Sequence, residues 1–345
     1  MSAAPACFPL LKLESNVLKN VLGSMRLVDI LLFSLISART KALVKSQRLQ
    51  ALEVTVTHYS VDLSFGERPD QTLRCMFNGF EFNSRHLFSP PLARLVINMN
   101  ARAYSPTLEV DAFCQHLASI FTWKSSVLLV RPLEGLTVRR TLEVFGNFDI
   151  VRCYSSTQFR YPADVLDALN KHAKSVWFHR NPYDREEIQK VLIQNLDALS
   201  FGKEEGEEMT AHWDYWIRYP VEIRLDDLLT VNAKRLTIRE ARISEAELNR
   251  FFKVWQRTRS NPRLQHLSIR CVREDFEVSN RLTLNGIEGI EYPDDEPRFV
   301  NNQEIYGGLD ICRTDGTVAT IAFDVEFQSE EEFFDFVTVQ FFVWS

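Results

Sequence analysis

The sequence predicts a mixed α+β and α/β chain. A small three-helix module comes first, then a degenerate α/β solenoid, then a C-terminal β element. Three observations predict this. Thirteen of the twenty residues from Val17 to Ile36 are apolar, at spacings that suit short helices. From residue 51 onward, strand-like alternation and helix-like periodicity follow one another repeatedly. Beyond Tyr306 the pattern is mainly alternating, with a hairpin signal at Asp315-Gly316.

Each element has a local cause. Ser15 is the expected cap of the first helix, which carries Val17, Leu18, Val21, Leu22 and Met25 on one face and weakens at Gly23-Ser24. Asp29 is the expected cap of the second, in which Ile30, Leu31, Phe33, Leu35 and Ile36 leave almost no polar side. A basic third helix is expected from Thr40 to about Arg48. Helices that are apolar all round need cover on all sides. Three short ones cover only part of each other, so a second surface is required.

This stretch resembles an F-box. The resemblance is carried by Phe8-Pro9-Leu10, Leu13, Val17-Leu18, Val21-Leu22, Met25, Asp29-Ile30-Leu31, Ser34-Leu35 and Ser37 with Arg39-Thr40-Lys41. It implies a three-helix module, residues 7–50, that docks on the Skp-family adaptor of a cullin–RING ubiquitin ligase. The adaptor would then supply the missing cover. The implied contact residues are Phe8, Pro9, Leu10, Leu13, Val17, Leu18, Leu22, Ile30, Leu31, Ser34 and Leu35. Where the family usually has Leu-Pro, this chain has Leu13-Glu14. Glu suits the start of a helix dipole, so the helix is still expected.

Residues 51–345 form the second expected domain. "LEVTVTHYSVDLSF" reads as a strand or hairpin, with further strands at Met76–Phe82 and Leu95–Ile97. "LEVDAFCQHLASIF" switches to helix and "SSVLLV" back to strand. The unit recurs with helices after Asp164 and Pro182, and with Ser244 and Glu247 as a capping box for Leu248, Phe251, Phe252 and Trp255. Strand centres at Trp177, Leu199, Ile223, Leu236 and Leu267 are separated by 22, 24, 13 and 31 residues. That is repetition without a strict period. It fits a leucine-rich-repeat-like solenoid, with an ordinary layered α/β domain as the alternative.

Within this domain, residues 225–269 resemble the type 2 F-box-associated region. The carried residues are Asp227-Leu228-Leu229, Asn232-Ala233, Leu236, Leu248-Asn249, Phe252, Trp255, Asn261-Pro262, Leu264 and Leu267. The two resemblances together imply a substrate-recognition subunit of a Skp–cullin–F-box ligase. Its partners would be the adaptor, a cullin through that adaptor, and a target protein. The alternative is an F-box-derived scaffold acting outside a ligase.

Composition bounds the remaining options. The 345 residues suffice for two domains, and 25% charged residues is ordinary. A net charge of −6 gives no case for nucleic acid as a partner. The six cysteines stand far apart, so no Cys-x-x-Cys metal or redox pair exists. No nucleotide-binding glycine motif, nucleophile elbow or His-Glu-x-x-His occurs. The expectation is an intracellular, reduced, soluble chain with no membrane span, catalytic site, cofactor or metal. Target binding is assigned to Trp213, Trp216 and Arg239. "EGIEYPDDEP" reads first as a solvated loop, and second as a docking patch for a basic partner.

Overall fold

The computed structural model describes residues 10–57, 60–66, 72–76, 110–130, 141–154, 168–169, 171–179, 185–202, 220–272, 281–300, 303–326 and 336–344. The chain forms two units. One is Met1–Leu129 with Arg140–Phe148, and the other is Val130–Arg139 with Asp149–Ser345. The first unit therefore holds the N-terminal helices together with the strands that follow, across the expected boundary at residue 50.

In the first unit a 3-10 turn at Leu10–Lys12 leads into α1 (Ser15–Ser24), α2 (Leu27–Ser34) and α3 (Ala38–Ser46). The three helices lie where the apolar spacing put them, but two caps differ. Glu14, not Ser15, precedes the first helical residue, and its side chain makes no cap bond. Asp29 is the third residue of α2, paired with Arg26 at 2.7 Å. There it favours the positive helix start by charge instead of capping it. Ser37 caps α3 in a reciprocal pair with Thr40, whose hydroxyl accepts from the Ser37 N–H at 2.9 Å.

The strands of this unit are β1 (Gln50–Val56), β2 (Ser60–Ser64) and β3 (Thr72–Met76), then α4 (Val110–Ile120) and β4 (Thr122–Val130). β1 and β2 form the expected antiparallel hairpin, β3 extends it, and β4 runs parallel to β1. Phe113, Leu117, Ile120 and Phe121 are buried at the α4 end of the core. Of the strand expected at Met76–Phe82 only Met76, the last residue of β3, is described; its remainder and the strand expected at Leu95–Ile97 lie outside the described residues.

The second unit runs β5 (Phe148–Cys153), β6 (Ala173–Phe178), α5 (Arg185–Leu192), β7 (Ala198–Phe201), β8 (Val221–Glu222), α6 (Leu225–Thr230), β9 (Arg235–Arg242), α7 (Glu245–Arg257), β10 (His266–Val272) and α8 (Arg281–Leu284). Four strands close the order: β11 (Ile290–Val300), β12 (Gln303–Cys312), β13 (Val318–Glu326) and β14 (Phe336–Val343). They form one large sheet, β5-β6-β7-β9-β10-β14-β13-β12-β11, with β8 beside β9. β6, β7, β9 and β10 are parallel, and the rest from β10 to β11 is antiparallel.

The register explains the core. Val176, Leu199, Leu236, Leu267 and Phe341 pair in one row across five strands. Phe178, Phe201, Ile238, Ile269 and Val339 pair in the next. All ten are buried, on the face covered by Ile188 and Val191 of α5, Leu228 of α6, and Leu248, Phe251, Phe252 and Trp255 of α7. Because side chains alternate along a strand, the intervening row faces away from the helices. That row is Trp177, Ser200, Thr237, Ser268 and Gln340.

Two expected elements differ in this unit. "VEIRL" is only a two-residue strand, because Leu225 begins α6 and Asp227 turns back to accept from the Arg224 N–H at 2.9 Å. "EGIEYPDDEP" is no loop: from Ile290 it is β11. Alternation was hidden there by Pro293 and Pro297, residues that break most strand patterns.

Candidate functional site

Two surfaces stand out, one in each unit. In the first unit the N-terminal helices meet α4. Leu18, Leu22, Ile30, Leu31, Ser34 and Val44 are buried within the chain. Ser34 gives its one hydroxyl proton to the Leu31 carbonyl at 2.6 Å, and its Oγ also meets His116 Nε2 at 2.7 Å. With that proton spent, Nε2 of His116 is the donor and Ser34 the acceptor. The pair is thus wired as a clasp, opposite to a hydroxyl activated by a base. Beside it lies a cleft of about 380 Å³ lined by Ser34, Leu35, Ser37, Lys41, Gln115 and His116.

Burial pushes the pKa of His116 down from 6.5 to about 4, with Lys41 adding to the shift. Unfolded, this histidine takes up a proton near pH 6.5, but folded it resists until about 4. In that window the unfolded chain binds more protons, so its share of stability, complete above pH 6.5, is lost on acidification to about 4. The His116→Gln variant keeps a donor for Ser34 but cannot titrate. Urea midpoints at pH 7 and pH 5 should fall further apart for the native chain than for this variant. Equal shifts would show that His116 does not carry the effect. His266, whose pKa is also lowered by burial, contributes equally in both proteins.

The implied adaptor contacts divide by exposure. Leu18, Leu22, Ile30, Leu31 and Ser34 belong to the interior of the chain and offer no contact surface as it stands. This corrects their assignment: a residue under 6% exposed holds its own helices together before it touches a partner. Among the described residues of the N-terminal stretch, Val17 (45%) and Ile36 (71%) are the large apolar side chains left in water, with Leu13 and Leu35 half-buried. The latter two, with Val17, are the implied contacts whose side chains reach solvent. Ile36 was not among the implied contacts, although it closes the apolar run. Phe8 and Pro9 lie outside the described residues, as does the side chain of Leu10.

In the second unit the sheet face that no described helix of the unit covers carries the polar and aromatic groups. Trp177 donates through Nε1 to the Gly202 carbonyl at 2.7 Å, and the guanidinium groups of Arg152 and Arg239 lie 5.4 and 5.9 Å from its ring centre. Gly202 has φ +106°, and a Cβ there would sit 2.6 Å from the Arg239 Cβ, so only glycine fits. Further along, His266 stacks on Phe342 at 4.6 Å and shares a 2.8 Å bond with Gln340, which donates to Asp324. A second cleft of about 310 Å³ lies over these groups and Ile305, Tyr306 and Ala322. At the far strands Arg298 makes two bonds to Asp310, at 2.8 and 3.0 Å. Asp310 accepts from Thr320, which accepts from Trp344 Nε1.

Arg239 is half-buried beside Trp177 on the face turned away from the helices. Trp213 and Trp216 lie outside the described residues. Trp177, in "SVWFH", is a strand centre by sequence. Its outward direction follows from alternation against buried Val176 and Phe178. Among the described residues no group of three or more histidine, cysteine or carboxylate side chains is placed to hold a metal ion. No helix among them is long and apolar enough to cross a membrane.

The family-carrying polar residues have structural roles. Asn232 Nδ2 donates to Asn195 Oδ1 at 2.7 Å, and Asn261 Nδ2 to the Leu228 and Val231 carbonyls at 2.8 and 3.0 Å. Asn249 donates to the Thr283 and Asn285 carbonyls, both at 2.9 Å. Asp227 Oδ1 accepts from Gln189 at 2.8 Å. These bonds tie helix ends and connections to their neighbours, so the pattern marks a scaffold. Residues 187–269 match the family model described as F-box associated. The chain carries an F-box-associated region. It begins at residue 187, earlier than the 225 read from the sequence, and so takes in α5 and β7 with the same row register. The match does not extend to the N-terminal helices. No curated protein and no solved structure matches the chain.

Proposed function

We propose that the chain is a substrate-recognition subunit of an SCF-type ubiquitin ligase. The observation that carries the reading is the F-box-associated region at 187–269 in a chain whose first three helices leave Val17 and Ile36 in water. In this reading α1–α3 are an F-box that docks on a Skp-family adaptor and, through it, a cullin. The downstream unit is a leucine-rich-repeat-like solenoid, supported by the in-register apolar rows, and the sheet face that no described helix of the unit covers holds a target protein. The chain itself performs no covalent step. It raises the local concentration of target lysines near the catalytic subunits.

The test is co-purification of the full chain with a Skp-family adaptor. The Val17→Asp/Ile36→Asp double variant puts charge only at exposed positions. It should lose at least about 100-fold in adaptor affinity, since two apolar contacts at an interface centre are replaced by unpaired charge, while keeping its far-ultraviolet circular dichroism. A native chain that does not bind the adaptor would overturn the ligase reading and leave the scaffold reading.

A further inference from the structure

We propose that β11 is a docking edge for an extended basic segment of the target, which adds to the sheet as a further strand. The proposal deepens the receptor reading in naming the segment as the target's, but its binding step needs no ligase component. Among the described residues β11 ends the sheet order and pairs with β12 alone. An end strand presents a row of backbone donors and acceptors that another chain can complete. This one is long, Ile290–Val300, and large apolar side chains beside it stand in water: Ile290 68%, Tyr292 39%, Phe299 70% and, on β12, Tyr306 55% exposed. Scattered single apolar residues are ordinary on a surface, but four on one strand pair are not.

Charge selects the occupant. The segment 288–300 holds five acidic residues and one arginine. That arginine, Arg298, is withdrawn from the edge: it pairs with Asp310, donates to the Gly307 carbonyl and lies 3.8 Å over the Tyr292 ring. Glu291 and Glu296 remain exposed. A second copy of β11 would set carboxylates against carboxylates, which destabilises a strand pair. The same acidity that blocks self-pairing favours a strand bearing Lys or Arg at alternate positions, with apolar residues between them for Tyr292 and Phe299. Pro293 and Pro297 have no N–H, and the β11–β12 ladder is interrupted between Tyr292 and Pro297. The docked strand therefore bonds at Ile290–Tyr292 and Arg298–Val300, and arches over the centre.

The probes are three labelled peptides titrated into the full chain: (Lys-Val)4, (Glu-Val)4, and (Lys-Val)4 with alternate amides N-methylated. The first should bind and the second should not. N-methylation keeps charge and removes strand donors, so it should weaken binding at least about tenfold. Glu291→Lys/Glu296→Lys, both at exposed sites, should weaken the first peptide by a similar factor, about tenfold. Equal binding of the methylated peptide would reduce the effect to unspecific attraction and overturn the proposal. So would absence of (Lys-Val)4 binding, or chain dimerisation abolished by Phe299→Ser. Peptide binding with no adaptor binding would retain the docking edge and discard the ligase.

Discussion

Replacing Trp255 by Ala should destabilise the second unit by about 3–5 kcal/mol, the usual range for emptying a large aromatic site. The side chain is fully buried on α7, where the capping-box helix aims it at the sheet. Its ring meets Phe341 edge-on at 5.1 Å, and Phe341 also meets Phe252 at 5.3 Å and Phe251 at 5.9 Å. Phe341 belongs to the five-strand apolar row, so the cavity opens against the middle of the sheet, where collapse is hardest. The Arg313 guanidinium, 4.9 Å above the indole, would lose its aromatic partner as well. The Trp255→Phe variant separates packing from polarity. The indole N–H has no hydrogen-bond partner among the described residues, and Phe removes it while keeping most ring contacts. That variant should cost less than about 1.5 kcal/mol. Urea unfolding followed by far-ultraviolet circular dichroism gives both values. Equal losses for Ala and Phe would show that the edge-on stack is not what holds α7 to the sheet.

The same residues show how far the sequence could be read. Leu248, Phe251, Phe252 and Trp255 declare their helix because their spacing is one face of a 3.6-residue turn and Ser244 with Glu247 closes its start. β9 and β10 were legible because they alternate between apolar and polar residues with few interruptions. β11 was not, because its two prolines and three consecutive acids mimic a loop. Only pairing with β12 makes it a strand, and pairing is a long-range fact. β8 failed for the opposite reason: its apolar residues suit a strand, but Asp227 closes a helix turn at once.

The candidate site was less legible than the fold. Periodicity tells which residues are apolar on one face; it does not tell what covers that face. The sequence leaves open whether the apolar surplus of α1–α3 is covered within the chain or by a partner, and the F-box resemblance favours an adaptor; in the structure His116 on α4 reaches Ser34 across 82 positions of sequence. Nothing local in either segment announces that contact. The face turned away from the helices is partly readable, since outward positions alternate with buried ones, and Arg239 lies there beside Trp177. Trp177 escaped because an aromatic in a strand is more often core than surface.

These corrections change which substitutions are informative at the N-terminus. Leu31→Asp, alone or with Leu18→Asp, should unfold the helical part of the first unit. Leu31 has no exposed surface and Leu18 has 5%. Each change forfeits a buried leucine side chain and forces a carboxyl group into apolar surroundings, so each should cost about 4 kcal/mol or more. Small domains hold roughly 5–15 kcal/mol in all, so each change removes a large share of that stability and the pair most or all of it. Loss of adaptor binding in that variant would follow from unfolding and would say nothing about contact. Hydrogen exchange decides the matter residue by residue. Amides of α2 and α3 should lose protection in Leu31→Asp and keep it in Val17→Asp/Ile36→Asp. If Leu31→Asp instead kept native protection, the side chain would have an exit to solvent, and the buried leucines would return to the list of adaptor contacts. If both variants kept protection but only Val17→Asp/Ile36→Asp lost the adaptor, the docking surface would be the outer side of α1 and the end of α2, with the buried leucines acting as its support.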